Sequence, residues 1–340
     1  MKKRRMKPEV KCTCPWTDLF IHWDRVTTCC YQLFNPDVVT MTPIWGIWDD
    51  FSLAIDTQKV KDLQNSVRDH TANCINLARC NGKRCDKDVD TSGNVLQLKS
   101  VTVSVTAKCN AHCVYCSFVH EKGPDPMEPS LAQVRNLMNN LKVRSPQKVW
   151  YTGGDPLVLP NDKLDLYMDL PCPIMVTTNG MGLNKSRWER YFVNTNNVIR
   201  VTLDTINQEI YEKLRGPYCG EPTHIKLQKI MDGSDLSRVE VGCTVNTDNI
   251  DGISDVLRFA NDMRIPTVWL NGVCPGNSIM ETRLLCFHGK YRSMAQLLAL
   301  KDKMKEWETL ASGFGIKLAN NPPKRMLEAA IKQRAELDNK

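Results

Sequence analysis

The chain has 340 residues, of which 42% are hydrophobic and 24% charged, and a formal net charge of +7 at pH 7. This composition is ordinary for a globular protein with room for one large domain and a smaller one. It excludes a transmembrane protein, because no apolar run approaches the ~18 residues that a membrane span needs.

Much of the positive charge lies at the start of the chain, in the segment MKKRRMK at residues 1–7. Without this tail the body is nearly balanced, so the tail is interpreted as a solubilising terminus, with contact to nucleic acid as the alternative. Polar residues follow the tail in place of the apolar segment of a signal peptide, so a cytoplasmic location is expected.

Cysteine is unusually frequent, with 15 residues in the chain. In a reducing cytosol such cysteines are better interpreted as metal ligands or catalytic thiols than as disulfides. They are also clustered. Three lie at 109–116, and seven lie before residue 90, namely Cys12, Cys14, Cys29, Cys30, Cys74, Cys80 and Cys85. The clustering predicts two metal sites.

The predicted elements change character near residue 98. Residues 1–95 show no regular alternation, which is typical of a small domain that depends on a metal. Beyond them, β-rich runs alternate with helical patterns. The predicted strands are 101–107, 148–154, 173–180, 198–205, 238–246 and 267–272, and the predicted helices lie near 130–142, 161–169, 186–192, 208–216 and 253–263. Six βα units predict an α/β fold with a parallel sheet, as a partial (β/α)6 TIM-like barrel.

Three domains follow from these patterns. Residues 1–95 are predicted to form a small cysteine-rich, metal-binding domain, 96–290 the partial barrel, and 291–340 a C-terminal helical extension. Within the extension, apolar residues from Leu297 to Leu310 recur at helical spacing and predict a packed face. A last helix at 322–337 is polar and is expected to be exposed.

Cys109, Cys113 and Cys116 follow the first barrel strand in the sequence KCNAHCVYC. Thiolates are the usual ligands of iron–sulfur clusters, and barrel active sites lie at the C-terminal ends of strands. A zinc site that uses His112 or His120 as a fourth ligand is the alternative. Zinc ligands usually occur as two separated pairs in the sequence, whereas these three cysteines form a single group.

The CxxxCxxC spacing, with an aromatic residue before the last cysteine, resembles the signature of radical S-adenosylmethionine (SAM) enzymes. The resemblance covers roughly residues 98–290. It implies a [4Fe–4S] cluster held by Cys109, Cys113 and Cys116, with one iron left open to the amino and carboxylate groups of SAM. That cluster and SAM are therefore the expected cofactors.

Other segments match the family in order. Gly153-Gly154-Asp155 ends the second strand where the family has a GGE-like turn, whose carbonyls and acidic group bind the methionine ammonium. The resemblance places Tyr115 beside the adenine, and Asn246 within reach of the SAM carboxylate. The full implied cofactor-binding set is Tyr115, Gly153, Gly154, Asp155, Asn179, Thr202, Asp204 and Asn246. For the last four, an ordinary strand-end cap is the alternative.

The first ninety residues resemble the SPASM auxiliary-cluster module, in which a hairpin carries an "I..dG.V..C" pattern. Ile21, Asp24, Val26 and Cys29 match this pattern, and Arg25 replaces the usual glycine. The module normally follows the barrel, whereas here it precedes it. The resemblance implies an auxiliary [4Fe–4S] cluster, and a structural zinc site is the alternative. The implied ligands are Cys14, Cys29, Cys80 and Cys85, with Cys12, Cys30 and Cys74 as substitutes.

The resemblance implies that the reduced cluster cleaves SAM and that the resulting 5′-deoxyadenosyl radical abstracts a hydrogen atom. The substrate is expected to be a peptide or protein, or a small molecule such as a sugar or nucleotide. The expected electron donor is a flavodoxin or ferredoxin. Function is set by the site and not by the fold, so the barrel does not select the reaction. A non-enzymatic, metal-stabilised nucleic-acid binder is the competing class, and the nearly neutral body argues against it.

One further thiol is a candidate for the chemistry after hydrogen abstraction. Cys274 follows the sixth strand and is expected at the barrel mouth, where an S–H group could return a hydrogen atom to a substrate radical. Cys219 is the second candidate, and Cys243 is expected to point into the barrel wall. The alternative for Cys274 is a small buried apolar residue in a tight turn.

Overall fold

The computed structural model describes residues 18–21, 26–27, 61–62, 64–65, 98–116, 128–216, 220–272, 293–319 and 321–339. They divide into two compact units. The first contains the described residues up to Ala107 and those within 127–153 and 160–174; the second contains those within 108–126, 154–159 and 175–340. No helix in the described ranges is long and apolar enough to cross a membrane.

The first unit is built on parallel strands. Its strands are β1 (Asp18–Ile21), β2 (Val26–Thr27), β3 (Ser100–Thr106) and β4 (Lys148–Gly153). They lie in the order β2-β1-β3-β4, in which only β2 is antiparallel to its neighbour. Helices α1 (Leu131–Arg144) and α2 (Asn161–Met168) follow β3 and β4 along the chain.

Helix α1 shows how local sequence fixes an element. Its start is a capping box, in which the Ser130 side chain accepts from the Gln133 N–H and the Gln133 side chain accepts from the Ser130 N–H. This arrangement satisfies N–H groups that the first turn leaves without a helical partner. Its buried face, at spacings typical of an amphipathic helix, consists of Val134, Leu137, Met138 and Leu141.

Gly153 ends β4 because no side chain fits there. Its φ is +125°, and a Cβ on this residue would lie 2.3 Å from the carbonyl oxygen of Thr106 on β3. That separation is well inside van der Waals contact, so the strand end requires glycine. The glycine pair at 153–154 is therefore explained in part by the close approach of two strands.

The second unit continues the same βα alternation. Its strands are β5 (Ile174–Thr178, whose first residue belongs to the first unit), β6 (Val198–Thr202), β7 (Val239–Val245), β8 (Thr267–Gly272) and β9 (Lys317–Ala319). They lie in the order β5 to β9, and all neighbours are parallel. The helices are α3 (Lys185–Tyr191), α4 (Gln208–Arg215), α5 (Thr223–Met231), α6 (Ile253–Asp262), α7 (Met294–Gly313) and α8 (Asn321–Asp338).

The two faces of these strands differ in chemistry. On β7 the alternate residues Val239, Val241, Cys243 and Val245 are buried at 2% exposure or less and form the core. The opposite face carries the Arg200–Glu240 ion pair between β6 and β7, with N···O distances of 2.9 and 2.7 Å. The guanidinium of Arg200 also lies 4.2 Å from the ring centroid of Trp269 on β8.

The predicted α/β class and its six strands are confirmed, with parallel pairing in both units. The hairpin expected around Ile21 and Val26 also forms, since these two residues pair across β1 and β2. The sequence did not predict that β1 pairs in parallel with β3 and so extends the sheet. The division at residues 95 and 290 stays a prediction.

The last helix is exposed over most of its described residues, as expected, but it also buries an apolar stripe. Leu327 and Ala330 of α8 are each 2% exposed, and α8 packs against α7 and β8. A spacing of three residues places both side chains on one helix face, so a mostly polar helix still buries an apolar stripe. Helix α5 and strand β9 were not predicted at all.

Candidate metal and cofactor site

The cysteine triplet lies on one loop that begins two residues after β3. Cys113 is buried, and Cys109 and Cys116 are half-buried. The Cys116 N–H donates to the Cys113 carbonyl at 3.1 Å, which makes a tight turn between these two residues. The Ala111 N–H donates to the Sγ of Cys109 at 3.4 Å. The loop thus brings three thiols together through its own backbone.

The three thiols lie near enough to influence one another. Burial raises the pKa of Cys109 to about 11, against the effect of the Ala111 N–H, and the negative charges of Asp155, Cys113 and Cys116 raise it further. Within the described ranges, no group of three or more His, Cys, Asp or Glu side chains is arranged to hold one metal ion. Each thiolate of an iron–sulfur cluster binds a different iron, so the ligands of a cluster need not converge on one ion.

The end of helix α4 holds the cysteine loop in place. The N–H groups of His112 and Val114 donate to the carbonyls of Arg215 and Leu214, each at 3.0 Å. These carbonyls are among the last four of the helix, which have no intrahelical partner. Gly216, at φ +91°, follows them and lies close to His112, where an added Cβ would be 3.4 Å from the Cβ of His112.

Asp155 is fully buried and joins three loops. Its carboxylate accepts from the N–H groups of Leu157 at 2.8 Å and Asn179 at 2.7 Å, and from the Thr178 hydroxyl at 2.9 Å. Its own N–H donates to the Lys108 carbonyl at 2.8 Å, directly before the cysteine loop. Burial raises the pKa of Asp155, and these hydrogen bonds oppose the rise. The carboxylate thus has its acceptor positions occupied by protein donors.

Asn179 is the predicted cofactor residue that contacts the cysteine loop most directly. Its Nδ2 donates to the Oδ1 of Asn110 at 2.7 Å and lies 3.5 Å from the Sγ of Cys109. Its Oδ1 accepts from the Met181 N–H at 2.8 Å, which fixes the orientation of the amide. The side chain of Asn179 therefore links the end of β5 to the first cysteine.

Asp204 forms a second buried centre after β6. Its carboxylate accepts a hydrogen bond from the Tyr115 hydroxyl, pairs with Arg215 at 2.8 Å and accepts from the Thr244 N–H at 2.7 Å. Arg215 also donates to the Thr202 carbonyl at 3.0 Å and lies 3.4 Å from the Sγ of Cys113. This centre therefore reaches two members of the cysteine loop, Cys113 and Tyr115.

The charges in this centre affect one another. Burial works against the charged form of Arg215, but its electrostatic interactions with neighbouring groups, among them the Asp204 carboxylate, hold its pKa well above the ordinary value. Burial also raises the pKa of Tyr115 well above its ordinary value; Arg215 opposes this, and the negative charge of Asp204 adds to it. Arg215 is therefore cationic and Tyr115 is a neutral hydrogen-bond donor.

Thr202 and Asn246 make local contacts within the protein. The Thr202 hydroxyl donates to the Thr178 carbonyl at 3.2 Å. Asn246 is fully buried; its Nδ2 donates to the Thr244 carbonyl at 3.0 Å and its Oδ1 accepts from the Asp248 N–H at 2.9 Å. Both side chains make the contacts of an ordinary strand-end cap, which was the alternative to a SAM ligand in the sequence analysis.

Residues 103–256 match the family model of the Radical SAM superfamily. The chain contains a radical SAM domain. The family prediction from the cysteine spacing is thereby confirmed, and the family implies SAM and a SAM-binding [4Fe–4S] cluster as cofactors.

Two curated relatives of the radical SAM domain are named for one activity. A "Probable GTP 3′,8-cyclase" of Archaeoglobus fulgidus is 32% identical over 172 residues, covering 48% of this chain and 54% of the relative. A "GTP 3′,8-cyclase" of Listeria monocytogenes is 29% identical over 183 residues, covering 48% of this chain and 51% of the relative. The chain spans about half the length of these relatives.

Solved structures share the fold. SuiB of Streptococcus suis bound to S-adenosylmethionine matches with a TM-score of 0.53 and 13% identity, over 77% of this chain and 60% of that one. The same protein bound to its precursor peptide SuiA matches with a TM-score of 0.51 and 14% identity, over 78% and 54% of the two chains. At this identity the likeness shows the fold alone.

Sequence reasoning missed Arg215. An arginine in the last turn of a helix is ordinarily explained by the negative end of the helix dipole, so its position gave no signal. Its burial, with 4% of the side chain exposed, and its contact with a cysteine appear only in three dimensions. Asn110, which meets Asn179, was missed for the same reason.

Several predicted residues lie outside the described ranges of the chain. These are Cys14, Cys29, Cys80 and Cys85 of the implied auxiliary site, and the thiol candidates Cys274 and Cys219. Cys243 is described: it is fully buried in β7, as expected for a wall residue, and its Sγ lies 3.7 Å from the Asp204 carbonyl.

Proposed function

We propose that this protein is an enzyme that cleaves SAM reductively and abstracts a hydrogen atom from its substrate. The observation that carries the proposal is the loop of Cys109, Cys113 and Cys116 within a domain of the radical SAM family. The loop presents three thiols and is fixed on both sides, by Asp155 with Asn179 and by Asp204 with Arg215. We assign the three cysteines as the protein ligands of a [4Fe–4S] cluster.

The residues around the loop suit anionic sulfur ligands. The Sγ of Cys109 faces the Ala111 N–H and the Asn179 amide, and the Sγ of Cys113 faces the Arg215 guanidinium. N–H donors at cysteine sulfur stabilise the deprotonated form that binds iron. When bound, the cluster supplies an electron that breaks a carbon–sulfur bond of SAM and yields methionine and the 5′-deoxyadenosyl radical that takes the hydrogen atom.

The chain's own residues would orient SAM beside this loop. We assign the contact with the methionine ammonium to the backbone carbonyls at Gly153 and Gly154, because the carboxylate of Asp155 is already occupied by Leu157, Thr178 and Asn179. Asp155 then acts by holding the turn in shape. Tyr115, Asn179, Thr202, Asp204 and Asn246 remain the candidates for lining the remainder of the SAM site.

Reconstitution tests this assignment. Anaerobic protein treated with iron and sulfide and then reduced with dithionite should give a [4Fe–4S]+ electron paramagnetic resonance signal that changes when SAM is added, because SAM would bind the iron that has no cysteine ligand. The triple variant Cys109→Ala/Cys113→Ala/Cys116→Ala should lose the SAM-sensitive signal. A SAM-sensitive cluster that persists in the triple variant would exclude these cysteines as its ligands.

We also propose an auxiliary [4Fe–4S] cluster on Cys14, Cys29, Cys80 and Cys85. The support is the clustering of seven cysteines before residue 90 and the resemblance of that segment to the SPASM pattern. With four protein ligands such a cluster is closed, which suits electron transfer. The triple variant of the barrel cysteines should then retain about four irons per chain. One zinc and no iron in that variant would replace the cluster with a structural zinc site.

For the substrate, the relatives favour a nucleotide over a peptide, because all those described above are named as GTP 3′,8-cyclases. A peptide is the second candidate, since residues 1–95 resemble a module common among peptide-modifying relatives. The test is whether GTP or another nucleoside triphosphate raises the yield of 5′-deoxyadenosine. No stimulation by any nucleotide, together with stimulation by a peptide, would reverse this order.

A further inference from the structure

The Asp204–Arg215 ion pair contacts the cysteine loop. Arg215 lies 2.8 Å from the Asp204 carboxylate and 3.4 Å from the Sγ of Cys113, and the same carboxylate accepts the Tyr115 hydroxyl. The side chains of Asp204 and Arg215 are 2% and 4% exposed. One ion pair thus contacts two residues of the loop, at positions 113 and 115.

The guanidinium is arranged to face the sulfur. Its Nη2 pairs with the Asp204 carboxylate and donates to the Thr202 carbonyl. Its Nη1 is directed at the Sγ of Cys113. The Nε of Arg215 is buried and has no hydrogen-bond partner among the described residues. A buried donor without a partner is unusual in a native protein. Arg215 thus directs its Nη1 at a cysteine while its Nε has no partner among the described residues.

We propose that Arg215 is a positioning residue that donates a charge-assisted hydrogen bond to the Cys113 thiolate, and that it sets the reduction potential of the cluster together with Asp204. This inference rests on the proposed function, since it requires a cluster on Cys109, Cys113 and Cys116. In this proposal Asp204 binds Arg215 and Tyr115, whereas the resemblance to the family implied a direct contact between Asp204 and SAM.

The sign of the effect follows from charge. A reduced cluster carries one more negative charge than an oxidised one, so a cation at a cysteine ligand stabilises the reduced form and raises the potential. An anion at the same place does the opposite. Because both partners are buried, neither charge is screened strongly by water. Arg215 therefore raises the potential and Asp204 moderates it.

Three variants test the proposal on the full-length reconstituted protein. Arg215→Gln should shift the midpoint potential of the SAM-sensitive cluster to more negative values, and Asp204→Asn should shift it to less negative values. Arg215→Lys keeps the charge and should stay closer to the wild type than Arg215→Gln does. Potentials are read by electron paramagnetic resonance during a redox titration, with iron and sulfide content measured on each sample.

The matched control is Arg200→Gln. Arg200 is also buried and also pairs with a carboxylate, that of Glu240, at 2.7 Å. Its loss removes the same charge from an ion pair that lies within the strands β6 and β7. The potential of this variant should shift by much less than that of Arg215→Gln. An equal shift would show that a buried charge anywhere in the unit has this effect and would overturn the assignment to Arg215.

The outcomes separate the two proposals. A wild-type protein without a SAM-sensitive cluster contradicts the proposed function itself. A normal cluster whose potential is unchanged in Arg215→Gln, or moves in the same direction in Arg215→Gln and Asp204→Asn, contradicts the role of Arg215 alone. If Arg215→Gln fails to hold a cluster, the other two variants decide. The proposal is supported if the potential is less negative in Asp204→Asn and nearly normal in Arg215→Lys. Any other combination of potentials overturns it.

Discussion

Asp155 and Asp204 are both buried at the carboxyl ends of strands, and each holds one side of the cysteine loop, but they do so with different partners. Asp155 makes no ion pair with a described residue: its carboxylate is held by two backbone N–H groups and the Thr178 hydroxyl. Asp204 has Arg215 as an ion-pair partner, together with Tyr115 and one backbone N–H. One side is organised by neutral donors and the other by a cation.

The difference indicates a division of roles. On the Cys109 side, neutral N–H and hydroxyl donors fix the geometry of three chain segments, and the charge of Asp155 adds to burial in raising the pKa of Cys109. On the Cys113 side, Arg215 pairs with Asp204 and brings a positive charge to 3.4 Å from a sulfur. The Asp155 side therefore fixes the shape of the loop without a cation, whereas the Asp204 side places a cation beside a cysteine. Substitutions on the two sides should differ in size and in kind.

The largest effect is expected when the ion pair is broken on one side. Arg215→Met leaves the buried Asp204 carboxylate without a cation and should lower the free energy of unfolding by about 3–5 kcal/mol. The double variant with Asp204→Asn should lose less than the sum of the two single losses, with a coupling of about 1–3 kcal/mol. Urea unfolding of the four proteins measures this cycle, and additive losses would show that the pair does not interact.

A smaller loss is expected at Asp155. Asp155→Ala leaves the buried N–H groups of Leu157 and Asn179 and the Thr178 hydroxyl without an acceptor, at about 1–3 kcal/mol for each group that water does not reach. Because water can enter the space left by the carboxylate and reach some of these donors, the free energy of unfolding measured in urea should fall by about 2–3 kcal/mol. Asp232→Ala, which removes an exposed aspartate, is the control and should change stability by less than about 0.5 kcal/mol. If the two variants lost similar amounts of unfolding free energy, the hydrogen bonds of Asp155 would not stabilise the fold as proposed.

The smallest effect is expected at Tyr115. Tyr115→Phe removes the hydroxyl bond to Asp204 but leaves that carboxylate with Arg215 and the Thr244 N–H. The free energy of unfolding should fall by about 1 kcal/mol, and the charge near Cys113 is unchanged. The potential of the cluster should therefore move less in Tyr115→Phe than in Arg215→Gln. A larger shift of the potential in Tyr115→Phe than in Arg215→Gln would show that Tyr115, and not Arg215, sets the potential of the cluster.

The sequence predicted the order of strands well because β-rich runs and helices alternate with clear periods. It also placed the cysteine loop, Asn179 and Asp204 at strand ends, since these residues follow directly after the runs. It did not predict the internal partners of Asp155 and Asn246, because nothing in a strand-end aspartate or asparagine distinguishes a ligand contact from a cap. Arg215 lies 99 positions after Cys116 in the chain, and only the fold brings it to the loop.

Product formation from SAM tests the assignment of the three cysteines most directly. Anaerobic reconstituted protein, given SAM and a strong one-electron reductant, should make 5′-deoxyadenosine and methionine. The variant with Cys109, Cys113 and Cys116 all replaced by alanine should make none. Cys172→Ala, which removes another half-buried cysteine outside the loop, should keep the wild-type yield. Undiminished 5′-deoxyadenosine from the triple variant would contradict the proposal that these cysteines hold the catalytic cluster.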